Sequence, residues 1–258
     1  MAAPGVVYVQ LHGKPVPVTA GPGLTVDLAR CVAARPFTDW ARDLDPALSV
    51  SAIEMQSADL FGPRVGFLKF DARTTYNGRA IPSIVFMRGG AVGVLVLLRC
   101  TDGGELFALC TRQPRVPVGR SDLLELPAGM LDDEGSFVGV AAKEMREETG
   151  IELREEDLVD LTARALGLPR ELAAPAPVRG VYPSAGGCDE FLRLMLHRRD
   201  VSRADLDALR GKVTGNIAEG EVITLEVVPY DELWRRCSDM KALSAMLLYE
   251  RLLATNEL

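Results

Sequence analysis

Glu144, Glu147 and Glu148 stand at positions i, i+3 and i+4 of a charged stretch closed by Gly150 and the apolar Ile151. On a helix those positions share one face. Three carboxylates crowded there repel one another unless a cation lies between them, and hard oxygen ligands at that spacing suit Mg²⁺ or Mn²⁺. Two such ions can grip a diphosphate and make hydroxide from water at neutral pH. Gly150 fits a helix stop, and Gly129 lies in the loop that would feed the helix. The competing reading is a solvated helix face on which Lys143 and Glu147 form an i,i+4 pair.

A folded core must hold these groups in place. The chain has 258 residues, of which 48% are hydrophobic, enough for one large domain or for a domain with a smaller partner. A net charge of −7 argues against a binder of polymeric nucleic acid, which would be basic. It does not exclude nucleotides, whose phosphates a divalent cation neutralises. The five cysteines, Cys31, Cys100, Cys110, Cys188 and Cys237, form no C-x-x-C pair, which fits a reducing compartment. No basic segment followed by an apolar one opens the chain, so no secretory signal is expected. The longest apolar run, 89–98, is too short to span a bilayer.

Residues 6–11 and 15–18 flank a His-Gly-Lys turn and read as a hairpin. Residues 25–44 have helical spacing broken at Pro36, and 65–70 with 81–86 read as a second hairpin. Residues 1–82 look like a mixed segment with little core of its own. From 83 onward the rhythm changes. Residues 91–98 and 106–112 are expected strands joined by an Asp102-Gly103-Gly104 turn. A strand at 123–126 precedes the glutamate helix, and further strands are expected at 158–163, 190–197 and 221–228. The 190–197 strand alternates and is expected to be half buried. Residues 231–237 and 238–254 read as helices, the second with Ser238 as N-cap and an apolar stripe through Met240, Leu243, Leu247 and 249–252. Residues 173–177 read as a loop. Strands interleaved with helices indicate an α/β or α+β sandwich.

The run from Gly129 to Ile151 resembles the signature of the Nudix hydrolases, with Gly129, Glu144, Met145, Glu147, Glu148, Gly150 and Ile151 in register. Two positions depart: Gly135 stands where the family has its first glutamate, with Glu134 one residue early, and Lys143 stands where it has arginine. The stretches ELPAGMLDD, YPSAGGCDE and VPYDELW make the chain most similar to plant-type ADP-sugar pyrophosphatases from about residue 61 onward. The resemblance implies an α/β/α sandwich over residues 83–258 with a small β-rich domain over 1–82. It implies metal ligation by Glu144, Glu147, Glu148 and the carbonyl of Ala128. It implies a substrate loop at Gly186, Gly187 and Asp189, an arginine contact at Arg115, and loop glutamates at Glu219 and Glu221, with Glu221 the stronger candidate to activate water. Small residues at Ala128 and Gly129 permit close backbone approach. Arg115, in a segment with Gln113 and Arg120, offers a planar fork for phosphate, or is a solvated surface arginine. Trp40 offers a face for a base, or is a structural tryptophan.

The expected activity is Mg²⁺-dependent cleavage of a nucleoside-diphosphate sugar, ADP-sugar preferred, with Mn²⁺ as the alternative ion. Glu221, or else a helix glutamate such as Glu144 or Glu147, would take the proton from water. The rival substrate is ADP-ribose; a rival of another class is a catalytically silent nucleotide-binding module, favoured by Gly135 and Lys143. The expected partner is a second copy of the chain, not nucleic acid or membrane, and the expected compartment is the cytoplasm or the plastid stroma.

Overall fold

The structure is a computed structural model that describes residues 5–131, 136–169, 178–215 and 222–258. It divides into two compact units: residues 1–90 with 172–178 and 182–191, and residues 91–171 with 179–181 and 192–258.

In the first unit β1 (Val7–Leu11) and β2 (Lys14–Ala20) form the expected hairpin. His12 and Gly13 at its turn both have positive φ, the geometry that matches strand twist. Helix α1 (Leu28–Ala33) is capped by the Asp27 side chain. Helix α2 (Arg35–Asp43) follows at once. The helical stretch breaks at Ala34, and Pro36 belongs to the first turn of α2, where its missing N–H has no partner to lose.

Strands β3 (Leu48–Phe61) and β4 (Arg64–Tyr76) form a long antiparallel pair; β5 (Arg79–Ala80) and β6 (Ile84–Met87) add to β4. The expected second hairpin is present as the β4–β6 pairing from Leu68↔Met87 to Asp71↔Ile84. The long β3 was not expected, because its polar and apolar residues mix without clean alternation. It supplies Ile53 and Met55 to a core with Val18, Phe37, Leu68 and Phe70, so the expectation of little core in this region is overturned.

The second unit contains β7 (Ala91–Cys100), β8 (Leu106–Arg115), β9 (Arg120–Glu125), β10 (Ala128–Met130), α3 (Phe137–Glu144), β11 (Val159–Asp160) and α4 (Leu161–Leu166). It continues with β12 (Leu192–Val201), α5 (Arg203–Leu209), β13 (Val213–Thr214), β14 (Ile223–Pro229), α6 (Tyr230–Arg236) and α7 (Met240–Ala254). The sheet order is β11-β12-β7-β8-β14-β13, with β10 also on β7 and β9 on β8. Among the described residues only β12 and β7 run parallel within it.

Residues 91–98 are buried without alternation, as in a strand covered on both faces. Leu95 and Leu97 pack with Ala242, Ala245 and Met246 of α7, while α3 also lies against β7. The result is a mixed α/β fold. β12 is likewise buried from Leu192 to His197, not half buried as its alternation suggested, because it lies beside the central β7. The expected strand at 158–163 is only Val159–Asp160; Asp160 then caps α4 by accepting the Ala163 N–H at 2.7 Å. Asp239, not Ser238, caps α7. The buried face of α7 is Ala242, Ala245, Met246, Tyr249 and Leu252, whereas Met240, Leu243 and Leu247 of the expected stripe are exposed.

Candidate active site

Strand β8 continues through Arg115, so Gln113 and Arg115 lie within the strand and do not follow it. Alternation puts Thr111 and Gln113 on the same side, both buried. A register shift against β9 falls between Gln113 and Arg115, and such a bulge re-aims the next side chain. Arg115 donates through Nε to Oε2 of Glu125 at 2.6 Å. Oε1 of Glu125 accepts from Nζ of Lys241 at 3.2 Å, and Lys241 also donates to Oδ1 of Asp239 at 2.9 Å. Burial pushes the Lys241 pKa down, but Asp239 and Glu125 outweigh it and the net shift is upward. The four groups alternate in sign, and they fix the base of Arg115. Arg120 opens β9 as an exposed side chain.

The glutamate segment starts as an ordinary helix. The Ser136 hydroxyl caps α3 by accepting the Gly139 N–H at 2.9 Å. After Glu144 the backbone widens into one π turn over Met145–Thr149, a feature frequent at functional sites. The fully buried Thr149 contributes to it: its hydroxyl donates to the Met145 carbonyl at 2.5 Å and accepts the Ile151 N–H at 3.1 Å. Gly150, at φ 72°, ends the turn as expected. A wider turn does not keep i, i+3 and i+4 on one stripe. Glu148 is 3% exposed, while the Glu147 side chain is 44% exposed, 3.9 Å from Arg146.

Two of the three carboxylates converge on β10. Glu144 lies across the α-carbon of Gly129, where a Cβ would fall 1.9 Å from its Oε1. Oε2 of Glu148 accepts the Ala128 N–H at 3.0 Å, and Oε1 accepts from Nε2 of Gln113 at 3.4 Å. The Thr214 hydroxyl donates to the Glu148 main-chain carbonyl, one of those a helix end leaves unpaired. The structure thus brings together Glu144, Glu148, Ala128 and Gly129, with Gln113 behind them and Glu147 to the side. Among the described residues no three Asp, Glu, His or Cys side chains are already gathered as ligands. The donor set still fits a hard divalent cation: two carboxylates beside a small-residue strand whose main-chain oxygens also suit Mg²⁺.

The remaining expected residues lie elsewhere. Glu219 and Glu221 lie outside the described residues, as do Gly135, Glu134 and the 173–177 loop. Lys143 is exposed near the end of α3. Gly186, Gly187 and Asp189 belong to the first unit. The Gly187 carbonyl accepts the Phe86 N–H at 2.8 Å, and the Asp189 carboxylate accepts the Arg88 N–H at 2.7 Å and the Gly89 N–H at 3.1 Å. Burial raises the Asp189 pKa, against the pull of those N–H groups. Trp40 packs edge-on to Phe70, 5.2 Å between ring centres, within the first unit's core. Sequence reasoning did not identify Glu125, Lys241 or Asp239 as a group. Glu125 and Asp239 are far apart in the chain, and the only local signal was an acid inside a strand.

Residues 87–247 match the family model of the NUDIX domain. The chain is 41% identical over 249 residues to "Nudix hydrolase 14, chloroplastic" of Arabidopsis thaliana, covering 92% of this chain and 77% of that protein. It is 36% identical over 64 residues to "Putative nudix hydrolase 2" of Caenorhabditis elegans, covering 25% and 28% of the two. A solved structure titled "Crystal structure of ADP compounds hydrolase" shares the fold, with TM-score 0.52, 14% identity, and coverage of 81% of this chain and 95% of that one.

Proposed function

The chain belongs to the Nudix hydrolase family, and on that premise we propose that it cleaves the diphosphate bond of nucleoside-diphosphate sugars, ADP-sugars preferred, with Mg²⁺ or Mn²⁺. The products would be a nucleoside monophosphate and a sugar 1-phosphate. The observation that carries this reading is the convergence of Glu144 and Glu148 on Ala128–Gly129. Glu144, Glu147, Glu148 and the Ala128 carbonyl would hold the cation. Bound there, it supplies charge neutralisation of the diphosphate and a lowered pKa for the attacking water. Glu148 accepts from two neutral donors, the Gln113 amide and the Ala128 N–H. Arg115, steadied by Glu125, presents its remaining N–H groups to phosphate oxygen. Glu221, or else a helix glutamate, accepts the proton of the water. Gly186, Gly187, Asp189 and Glu219 are assigned to the substrate on the resemblance to ADP-sugar pyrophosphatases; Trp40, suggested by its residue type alone, packs on Phe70 and fits its structural alternative.

The same reading makes the protein a homodimer in which residues 1–82 serve dimerisation and substrate contact and 83–258 form the hydrolase domain. The name of the Arabidopsis relative favours the plastid over the cytoplasm. No helix among the described residues is long and apolar enough to cross a membrane. ADP-ribose, cleaved by the same site, is the second substrate reading. Phosphate released by a coupled phosphatase from ADP-glucose and from ADP-ribose, with and without Mg²⁺, tests the assignment. Faster turnover of ADP-glucose, only with Mg²⁺, is expected. Preference for ADP-ribose selects the second reading. Binding without release from any substrate returns the chain to a nucleotide-binding module.

A further inference from the structure

We propose that Gln113 is a positioning residue for the metal-binding carboxylate of Glu148; this rests on the reading of Glu148 as a ligand. Gln113 is 6% exposed and lies on the same side of β8 as the fully buried Thr111. A glutamine there needs partners, because an unpaired buried amide costs about 1–3 kcal/mol. Its Nε2 reaches Oε1 of Glu148 at 3.4 Å, and the other oxygen of Glu148 takes the Ala128 N–H at 3.0 Å. Each carboxylate oxygen therefore has one fixed neutral donor. An ionised carboxylate offers about four acceptor sites, and these two donors on opposite oxygens fix how the group is turned.

Geometry makes the arrangement specific. The register shift begins just after Gln113, so strand β8 keeps its regular alternation up to this residue and loses it beyond. Thr214 holds the main chain of Glu148 from β13, and Thr149 ties the π turn from within. Backbone and carboxylate of Glu148 are thus anchored separately, the first by Thr214 and the second by Gln113 and the Ala128 N–H. The amide carries no charge, so it orients Glu148 without competing with a cation as a lysine would.

The test is a double-mutant cycle on Mn²⁺ binding to substrate-free protein, followed by electron paramagnetic resonance of the free ion. Gln113→Met keeps the length and removes the donor. It should weaken Mn²⁺ binding about 10- to 100-fold, the usual effect of losing a partner of a ligand. Glu148→Gln should weaken it at least as much, and the double variant should be no worse than Glu148→Gln alone. Gln113→Asn, one methylene too short to reach Glu148, should behave like the Met variant and serves if that variant does not fold, as judged by circular dichroism. With Mg²⁺, the half-activating concentration should rise in parallel while turnover at saturating Mg²⁺ changes less. Wild-type Mn²⁺ affinity in a folded Gln113 variant, alongside loss in Glu148→Gln, overturns the role of Gln113. Wild-type affinity in Glu148→Gln overturns the ligand reading instead. Additive losses in the double variant also overturn the proposal, since independent effects do not pass through one carboxylate.

Discussion

Glu144 occupies the space that any side chain at position 129 would need: a Cβ on Gly129 would lie 1.9 Å from its Oε1 and 2.0 Å from its Cδ. The glycine of the loop and the first glutamate of the helix cluster are therefore one steric unit, although fifteen positions separate 129 from 144 in the sequence. Gly129→Ala must displace Glu144. A shift of about 1 Å at a reacting centre costs on the order of a hundredfold in rate, so kcat/KM should fall by about that factor while the circular dichroism spectrum stays unchanged. A fully active Gly129→Ala enzyme would remove Glu144 from the site.

Glu147 and Glu148 should separate in stability though both matter for activity. Either one changed to Gln should lower turnover about a hundredfold at saturating Mg²⁺, through loss of charge at the metal. Glu148→Gln also turns one acceptor into a donor facing Gln113 or the Ala128 N–H. That mismatch costs about 1–3 kcal/mol, which for a chain of this size lowers Tm by several degrees, at roughly 2–4 °C per kcal/mol. Glu147 is 44% exposed, and its Gln variant should melt like wild type. Calorimetry of the two variants decides it; equal melting would mean that the Glu148 contacts carry no stability.

Lys241 is the cation that Glu125 and Asp239 share. Lys241→Ala leaves the buried carboxylates of Glu125 and Asp239 without their shared cation, with Arg115 the one cation still paired to Glu125 among the described residues. Breaking a buried pair from one side costs about 3–5 kcal/mol, so urea denaturation should show a loss of roughly 3 kcal/mol. An unchanged midpoint would show that water replaces the ammonium.

His197 should set an acid-sensitive step in stability. Burial holds its pKa below the ordinary 6.5, partly offset by Asp157. Nδ1 lies 3.1 Å from the Asp157 carbonyl, and Nε2 has no hydrogen-bond partner among the described residues. Below pH 6.5 the unfolded chain takes up a proton that the folded chain still excludes. Stability is therefore full above that pH and is lost as the pH falls from 6.5 towards the depressed folded value. The slope contributed is at most about 1.4 kcal/mol per pH unit. His197→Gln should flatten stability between pH 5 and 7 by about that amount in urea titrations; an unaltered slope would place the transition on another group.

Light scattering should give a mass of about twice the 27.9 kDa of one chain. The first unit has a core of its own, so its need for a core is no longer the reason to expect a dimer. Exposed Tyr8, Phe61, Ile84 and Phe86 in that unit are the remaining physical motive. A mass of 27.9 kDa at micromolar concentration rejects the dimer.

The sequence by itself determined the family, the glutamate cluster and most of the second unit. Its strands there are short apolar runs closed by turn residues, and the signature spacing is local. Gly150 could be recognised as a helix stop because its left-handed φ is a local requirement. Other features depended on partners distant in sequence. Burial of β12 on both faces followed from its parallel seat beside β7, which no alternation encodes. The buried side of α7 was decided by what the sheet offered it, so Leu243 and Leu247 face outward although their spacing is helical. The π turn, within which the Thr149 hydroxyl takes the Met145 carbonyl, leaves Glu148 buried and Glu147 exposed. Gln113 meets Glu148 across 35 residues, and Glu125 meets Lys241 across 116. Residue type can announce chemistry, but which oxygen faces which donor is settled only when strands and helix close around one another.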